Sequence, residues 1–503
     1  MDDNKLIYRR QFVLSPLKCE SFNDWQYTGI GGYHLYVHPD VQLVTLESAD
    51  KNTCIALVGY ILDTKSLDKQ DIDILRDIQD SAYSVQKLVT SVTYLSGKFV
   101  LFVKNAYDTY IFHDPCGMRR VCYTSDGKDH FVGSQPYIFQ HFMELKQSDI
   151  SSSYFASNYV SENIEHWLPS KLSLYDNTYH LMPNHYLSLN TLQQKRFWPG
   201  EKMPQHGVME VVCEASDLLV RQIAAANHRY KLALSLTAGW DSRVLLAASK
   251  KISKEIYYYT LQYRNLKHRS PDIKIPQKIL GMFNIHHHLI PCTKDAPLRF
   301  QNIYEKNSPL AHFKDLGEIA FNLYQSFPQD RLAVHGCCSE IARCVYYKSG
   351  THPPVTSSKQ VTSLISGWSD MPFIHHEIEK WFASAKDVAA ETEIDILDLF
   401  YWEQRLGSWL AQGQLEWSIA QEGFAPFGHR KILELLLSVP TNMRSRPDFR
   451  LYKLLAQHLW PDVLSQPVNP QTLNKKTLRL IRKTRAYHFA KQLYKGQSFI
   501  LFC

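Results

Sequence analysis

The sequence of 503 residues contains no run of roughly eighteen or more apolar residues, which excludes a membrane-spanning helix. Its ten cysteines include no C-x-x-C pair and no zinc-ligand spacing, and only Cys337 and Cys338 are adjacent. We therefore expect reduced thiols and a cytoplasmic protein. The opening MDDNKLIYRR lacks the apolar core of a secretory signal, which agrees with that expectation. A G-x-x-x-x-G-K-[ST] phosphate loop is also absent.

The charge balance is modestly basic, with a formal net charge of +7. Much of it lies in residues 470–503, which carry lysines and arginines but no acidic residue. Such a segment can bind RNA, an acidic glycan or a membrane surface, but more often it is a solvated helix face. We therefore favour no nucleic-acid partner on this ground alone.

The spacing of apolar residues along the sequence changes near residue 200. Before it, short aromatic and β-branched segments such as CIALVGYIL, KFVLFVKN and TYIFHD predict strands. After it, residues 209–227 have helical spacing of apolar positions. From residue 231 onward, strand and helix patterns alternate, which predicts a parallel sheet with helices on both faces and a ligand site at the carboxyl ends of its strands. From Asp395 onward we expect helices only.

Small residues follow the predicted strand at 231–236. Thr237-Ala238-Gly239 forms a turn, and Asp241 and Ser242 then open a helix. Small residues allow backbone N–H groups to close on an anion, and a helix N-terminus adds positive charge. Asp241 can hold Mg²⁺ and the Ser242 hydroxyl can bond a phosphate oxygen. An ordinary turn with Asp241 as the helix N-cap explains the same residues.

A second loop, HGCCSEI, follows the predicted strand at 331–336. Glu340 begins a helix there and can complete a Mg²⁺ site with Asp241, because both residues follow strands of one sheet. The alternative is a helix capped by Ser339 with Glu340 in its first turn. Lys453 lies in a predicted amphipathic helix, where most lysines are solvated, so alone it indicates no function. Arg405 lies in an aromatic-rich predicted helix, from which it can reach a phosphate or a substrate carboxylate.

The order of these features resembles asparagine synthetases and their relatives across almost the whole chain. SLTAGWDSR resembles their Ser-Gly-Gly-x-Asp-Ser pyrophosphate loop, with Thr237 and Ala238 substituted. HGCCSEI resembles the second loop, with Glu340 in place of the metal-binding aspartate, and FAPFGHRKILELLLSVP resembles the family's PFLD…LP segment. The resemblance implies an adenine-nucleotide α-hydrolase fold, also called the PP-loop ATP pyrophosphatase fold, that uses ATP and Mg²⁺.

The resemblance also implies roles for individual residues. Asp241 and Glu340 would hold Mg²⁺. Lys453 stands where the family has a lysine that stabilises the charged transition state. Cys337 occupies the position of an acid in asparagine synthetases and of a tyrosine in β-lactam synthetases, where that residue is a candidate base for the incoming amine. A cysteine is a poor base unless its pKa is lowered, so the resemblance does not identify the general base of this chain. The catalytic set is thus Lys453, Glu340 and Cys337, and the nucleotide-binding set is Ser235, Thr237, Ala238, Gly239, Asp241, Ser242 and Gly336.

The first half resembles the family's class II glutamine amidotransferase domain, in the segments YLSGKFVLFVKNAYDTYIFHDPCGMRRVCY and TYHLMPNHYLSLN. The implied fold is an N-terminal-nucleophile (Ntn) type α-β-β-α sandwich. Two features depart from it: Asp2 stands where the nucleophilic cysteine follows the initiator methionine, and Val58-Gly59-Tyr60 replaces the glutamine-holding Asn-Gly-Glu. We therefore expect no glutaminase activity, as in β-lactam synthetases and lasso-peptide cyclases.

The sequence thus predicts two domains, residues 1–200 and 201–503. The function that it favours is an ATP-dependent ligase that adenylates a substrate carboxylate and transfers it to an amine. The acid would be a small molecule, a peptide or a glycan, in natural-product or surface-glycan tailoring, and partner biosynthetic proteins fit that setting. Two alternatives stay open: an RNA-modifying adenylating enzyme of the same fold, and a non-catalytic nucleotide-binding relative.

Overall fold

The computed structural model describes residues 5–470, so Asp2 and residues 471–503 of the basic segment lie outside the described part. The strands are β1 (Phe12–Ser15), β2 (Gln26–Ile30), β3 (Tyr33–Val37), β4 (Leu43–Glu47), β5 (Cys54–Leu62), β6 (Ser96–Lys104), β7 (Thr109–His113), β8 (Cys122–Ser125), β9 (His130–Gly133), β10 (Thr178–His180), β11 (His185–Ser188), β12 (Gln193–Arg196), β13 (Lys231–Ser235), β14 (Tyr257–Gln262), β15 (His287–Pro291), β16 (Arg331–Val334) and β17 (Gly423–Phe424).

The α-helices are α1 (Asp71–Gln79), α2 (Val85–Val92), α3 (Ile150–Phe155), α4 (Asn158–Glu162), α5 (Val208–Arg229), α6 (Trp240–Ala248), α7 (Pro271–Met282), α8 (Leu298–Lys306), α9 (Glu318–Ser326), α10 (Ser358–Thr362), α11 (Pro372–Thr392), α12 (Ile396–Phe400), α13 (Ala411–Trp417), α14 (Arg430–Leu437), α15 (Thr441–Arg444) and α16 (Arg450–Leu459). Two stretches, Phe313–Gly317 and Tyr401–Leu410, are π-helical. Within residues 5–470, no helix combines the length and apolarity needed to cross a bilayer.

Two six-stranded antiparallel sheets form the first half of the chain. Their strand orders are β10-β8-β9-β1-β3-β2 and β12-β11-β7-β6-β5-β4. The sheets face each other across one apolar core, because Phe12 and Leu35 of the first sheet pack with Val58 and Phe102 of the second. Alternation along β5 explains this, since Ala56 and Val58 face that core while Ile55 and Leu57 face the other way.

The outer faces of both sheets are covered by helical segments. Leu75 of α1 and Leu88 of α2 pack on the outer face of the second sheet. The outer face of the first sheet is covered by 3₁₀ helices, Glu20–Phe22 and Pro136–His141, which contribute Phe22 and Phe139 to a further cluster. The resulting four layers are the α-β-β-α arrangement that was predicted.

The second half contains a five-stranded sheet with the order β15-β14-β13-β16-β17, in which every pair is parallel. Side chains on β13 alternate between its faces: Leu232 and Leu234 pack in one core, with residues of α5, α6 and α16, and Ala233 packs in another, with residues of α8 and α9. The predicted α/β class, a parallel sheet with helices on both faces after an antiparallel sandwich, is confirmed. The division at residue 200 stays a prediction.

The expectation of helices alone after Asp395 is wrong at Gly423–Phe424. These two residues pair with Ala333 and Val334 of β16 and form the edge of the parallel sheet. A strand of two residues has no periodicity for a sequence pattern to reveal, and only its partner in the fold defines it. Helix α9 (Glu318–Ser326) is preceded directly by the π-helical stretch Phe313–Gly317.

A buried ion cluster joins the two halves of the chain. The carboxylate of Glu422, beside β17, lies 3.0 Å from Arg119 Nη2, 3.2 Å from Lys98 Nζ and 3.9 Å from Arg10 Nε. Burial acts to raise the pKa of Glu422, but these three cations outweigh it and lower the pKa to about 2. Burial lowers the pKa of Arg10 to about 10, which leaves its guanidinium charged at neutral pH.

The same cluster borders the segment that departs from the glutaminase pattern. Gly59 has a φ of +102°, and a Cβ added there would lie 2.2 Å from the Lys98 carbonyl oxygen and 2.8 Å from Arg119 Nε. The Tyr60 hydroxyl donates a hydrogen bond of 2.8 Å to the Gly423 carbonyl. Gly59 thus borders the ion cluster, and Tyr60 takes part in the contact between the halves.

We predict that Glu422→Gln lowers the free energy of unfolding by about 3 kcal/mol near neutral pH, because it leaves buried cations without their counter-charge. The folded-state pKa lies below that of an unfolded glutamate, so the stabilisation is complete above that unfolded value and disappears as the pH falls from about 4.3 towards about 2. Urea denaturation across this pH range measures both effects.

The matched control is Glu379→Gln, which removes the same charge from an exposed position on α11. Its denaturation midpoint should stay at the wild-type value. Equal midpoints for Glu422→Gln and wild type at neutral pH would contradict the prediction, as would a difference between them that widens in acid.

Candidate functional site

The loops after β13 and β16 lie at the same edge of the parallel sheet, because the two strands pair in register from Lys231↔Arg331 to Leu234↔Val334. The loops also touch. A Cβ added to Gly336 would lie 2.7 Å from the Asp241 Cβ and 3.1 Å from the Ser242 backbone nitrogen. Only a residue without a side chain allows this approach, so Gly336 brings the two predicted loops together.

Neither of the two predicted caps is found, although Glu340 does lie in the first turn of its helix. The N-cap of α6 is Gly239, and Asp241 lies within the first turn. The residue before the 3₁₀ helix Ser339–Ala342 is Cys338, with a φ of +75°, and the Ser339 hydroxyl instead donates to Asp241 Oδ1. Left-handed backbone at a buried non-glycine residue is strained and is often found at functional sites.

Three N–H groups of the first loop already have acceptors. Thr237 N donates to Ser242 Oγ at 3.1 Å, Gly239 N donates to Thr237 Oγ1 at 3.2 Å, and Ala238 N donates to Asp272 Oδ1 at 3.1 Å. The first turn of α6 adds N–H groups of Trp240, Asp241 and Ser242 that have no acceptor within the helix. An anion at this position can bind the N–H groups at the start of α6 directly. It can bind the loop N–H groups only after these have released their present acceptors.

Arg343 is the main partner of Asp241. Its Nη1 atom lies 2.5 Å from both carboxylate oxygens. The guanidinium also lies over the rings of Phe449, at 5.2 Å from the centroid, and Tyr452, at 5.9 Å. Tyr452 in turn donates its hydroxyl to the Ser339 carbonyl at 2.7 Å. Helix α16 is thereby fixed against the second loop.

Glu340 carries the most perturbed carboxyl of the site. Burial, and then the negative charge of Asp241, raise its pKa to about 7, while Arg343 opposes the shift. Its Oε2 atom is buried and has no hydrogen-bond partner within residues 5–470. An unpartnered buried carboxylate oxygen beside a second carboxylate favours a bound cation.

These two residues therefore fit a magnesium ion. Mg²⁺ prefers hard oxygen ligands, and in nucleotide sites it takes one or two carboxylates and completes its shell with phosphate oxygens and water. Asp241 and Glu340 provide that number. The described residues contain no group of three or more histidine, cysteine, aspartate or glutamate side chains with metal-ligand geometry, so a site made of protein ligands alone is not found there.

The other predicted residues occupy different surroundings. The Ser235 hydroxyl bonds to the side chain of Tyr259, within the sheet. Cys337 is half-buried, and its thiol and that of Cys116 hydrogen-bond with Cys338, which raises the pKa of Cys338. Lys453 is exposed on α16, one residue after Tyr452, and no hydrogen bond or ion pair joins its side chain to another residue between 5 and 470.

The chain segment 463–469 closes over the first loop. Arg243, which is fully buried on α6, donates from Nη1 to the carbonyls of Val463, at 2.6 Å, and Gln466, at 2.9 Å. The Asn469 nitrogen donates to the Ala238 carbonyl at 3.0 Å. The segment is therefore held to the loop by a backbone hydrogen bond, and to α6 by the side chain of Arg243.

Sequence reasoning did not identify Arg343, Asp272 or Arg243 as site residues. Arg343 follows Glu340 by three residues, which is a signal that the two side chains share a helix face, but only the fold shows that it reaches Asp241. Asp272 lies at the start of α7 after the neighbouring strand β14, so the rule that groups strand ends would have included it.

Comparison of the sequence with protein-family profiles and with curated proteins gives no match. Among solved structures, 54% of this chain matches 64% of glutamine phosphoribosylpyrophosphate amidotransferase from B. subtilis, complexed with ADP and GMP, at 14% identity and a TM-score of 0.24. The chain thus spans slightly less than two thirds of that protein. NMN synthetase from Francisella tularensis is matched over 93% of its chain and 39% of this one, at 16% identity and a TM-score of 0.19.

A further match is a structure described as the allosteric regulatory enzyme of purine biosynthesis, with 12% identity, a TM-score of 0.25 and coverage of 55% of this chain and 67% of that one. These values are too low to support a functional argument.

We predict that Gly336→Ala separates the two loops and lowers the free energy of unfolding by about 1–3 kcal/mol, because its methyl group would overlap Asp241. The control is Gly281→Ala, at an exposed site near the end of α7, where an added Cβ meets nothing within 4 Å. That change should leave stability equal or slightly higher. Thermal unfolding of both variants measures the difference, and an unchanged midpoint for Gly336→Ala would contradict the loop contact.

Proposed function

We propose that the protein is an ATP- and Mg²⁺-dependent ligase that adenylates a substrate carboxylate and transfers the acyl group to an amine, without glutaminase activity. The observation that carries the proposal is the meeting of Asp241 and Glu340 at the start of α6, with a buried oxygen of Glu340 left without a partner among the described residues. This arrangement combines a helix N-terminus for an anion with two carboxylates for a cation.

Each residue would then have a defined task. The N–H groups at the start of α6 and of residues 237–239 hold the pyrophosphate, and Asp241 and Glu340 hold the metal. A bound Mg²⁺ neutralises charge on the phosphate oxygens. Arg343 has to release Asp241 as the metal binds, and its charge then becomes available to an anionic group nearby. Lys453 neutralises charge that develops in the transition state.

The general base is not assigned. Cys337 stands at the corresponding position, and a thiol accepts a proton poorly unless its pKa is lowered. The proposal includes two domains divided near residue 200 and a cytoplasmic setting, with the amine taken from solution because glutamine is not hydrolysed. The acid would be a small molecule, a peptide or a glycan, in natural-product or surface-glycan tailoring.

We predict that, with a working acid and amine, ATP is converted to AMP and pyrophosphate. The proposed loop holds the β- and γ-phosphates as the leaving group, and the chain lacks the P-loop that cleavage to ADP commonly uses. Enzyme-coupled pyrophosphate detection across a panel of acids, with chromatography of the nucleotides, measures the products. Accumulation of ADP and inorganic phosphate would refute the proposal.

We predict that Asp241→Ala weakens binding of Mg-ATP, whereas Lys453→Ala leaves it nearly intact and lowers kcat by about 100-fold or more, since a stabilising contact made only in the transition state acts on kcat. Lys453→Arg should restore activity only in part, because a planar guanidinium does not reproduce a point charge. Nucleotide titration and single-turnover rates separate these effects.

The control for Lys453 is Lys251→Ala, a change of the same type at an exposed lysine. It should alter neither the affinity for Mg-ATP nor the single-turnover rate. Normal turnover of Lys453→Ala would remove that residue from the mechanism and would count against the family resemblance that assigns its role.

A further inference from the structure

A cavity of about 500 Å³ lies beside Arg343, and its lining includes Lys348, Arg405, Arg446 and Tyr346. We propose that this cavity binds the substrate acid and selects a small molecule that carries at least two anionic groups. The inference rests on the proposed function for its chemistry, because that function requires a carboxylic acid near Asp241. It adds the class of acid, which neither the loops nor the metal site specifies.

The charge of the lining is strongly positive. The acidic residue of the lining is Glu165, and its carboxylate is held at 2.8 Å by Arg264, which also binds Asp315. Arg343 is paired with Asp241. Lys348, Arg405 and Arg446 have no carboxylate within 4.0 Å in the part of the chain from 5 to 470. One reacting carboxylate would therefore leave cationic charge uncompensated, and a second anionic group would balance it.

Arg405 differs from a freely solvated surface arginine. It is half-buried, and its guanidinium lies 4.5 Å from the ring centroid of Trp409 and 5.8 Å from that of Trp167. Aromatic faces hold a guanidinium in place and leave its planar edge free to bind a carboxylate with two hydrogen bonds. Arg405 thus provides an oriented anion-binding group on this wall.

Two residues that line this cavity carry buried hydrogen-bond donors without an acceptor among the described residues. The Tyr346 hydroxyl and Arg343 Nε are both buried, both belong to lining residues, and neither has a hydrogen-bond partner in the described part of the molecule. Buried polar atoms in native proteins are nearly always satisfied. Burial raises the pKa of Tyr346, so its hydroxyl stays protonated at neutral pH and can donate to an anionic oxygen.

The cavity adjoins the proposed metal site. Arg343 lines the cavity and contacts Asp241 at 2.5 Å, so one side chain separates the two. Tyr401 lines the cavity as well, and burial, then the charge of Glu340, raise its pKa. The volume lies in the range of sites for small ligands, roughly 300–1,000 Å³.

Calorimetric titration of the full chain, without nucleotide or metal, tests the inference directly. The probes are tricarballylate, succinate and butyrate, which carry three, two and one carboxylates. We expect tricarballylate or succinate to bind at least about 10-fold more tightly than butyrate, and the difference to shrink at high salt. Equal affinities, or no binding of either polyacid at millimolar concentration, would overturn the inference.

Substitutions then locate the binding. Arg405→Gln and Lys348→Gln should each weaken polyacid binding by about 10-fold, the usual effect of losing a hydrogen bond to a charged group. Arg405→Lys should retain more affinity than Arg405→Gln. Lys348 is exposed, so its variant tests the site even where the Arg405 variants fold poorly. The matched control is Lys359→Gln, an exposed lysine on α10 that does not line the cavity, and it should bind as wild type.

The pyrophosphate assay distinguishes a failure of the proposed function from a failure of the proposed acid-binding cavity. Selective polyacid binding that the Arg405 and Lys348 variants weaken, together with ATP that is never cleaved to pyrophosphate, would support the cavity and refute the proposed function. Pyrophosphate release driven equally by a monocarboxylic acid, and unchanged in both variants, would support the function and refute the cavity.

Discussion

The pairing of β13 with β16 determines what the molecule can do at its sheet edge. Because the two strands are parallel and adjacent, both loops leave the sheet on the same side, and Gly336 lets them approach to van der Waals contact. Asp241 and Glu340 become neighbours although they are far apart in sequence. A different strand order would separate them, and neither the proposed metal site nor the role of Arg343 would remain.

The negative charge of Asp241 at this edge is balanced by a cation of the chain itself, Arg343. Arg343 neutralises Asp241, and two aromatic rings hold the guanidinium in position. Glu340 lacks such a partner within residues 5–470, and its raised pKa reflects that. The proposed function therefore requires an exchange, in which an incoming metal would take Asp241 and the guanidinium of Arg343 would pair with another anion.

The order of strands and helices could be predicted from the sequence because most elements carry a clear period. The apolar positions of α5 repeat at helical spacing, and the strand expected at 231–236 is present as Lys231–Ser235. Small residues after a strand also indicated where Thr237, Gly239 and Gly336 would lie. The edge strand Gly423–Phe424 was missed because two residues have no period, and its identity depends on β16.

Long-range ion pairs were the other feature beyond the reach of sequence patterns. Glu422 meets Arg10, Lys98 and Arg119 only because the sandwich and the parallel sheet pack against each other. Nothing local to these residues distinguishes them from solvated charges. The same holds for the lining of the cavity, where Lys348, Arg405 and Arg446 come from separate parts of the chain and share a site only in the folded molecule.

The docking of residues 463–469 on the first loop has a thermodynamic consequence. Arg243 and the Ala238 carbonyl hold this segment against the backbone that is proposed to bind pyrophosphate. If nucleotide binding requires the loop N–H groups to exchange partners, it changes the affinity of the loop for the segment. Linkage is reciprocal, so a ligand or protein that binds the segment only when it has left the loop changes the nucleotide affinity by the same factor by which the nucleotide changes the affinity of that binder.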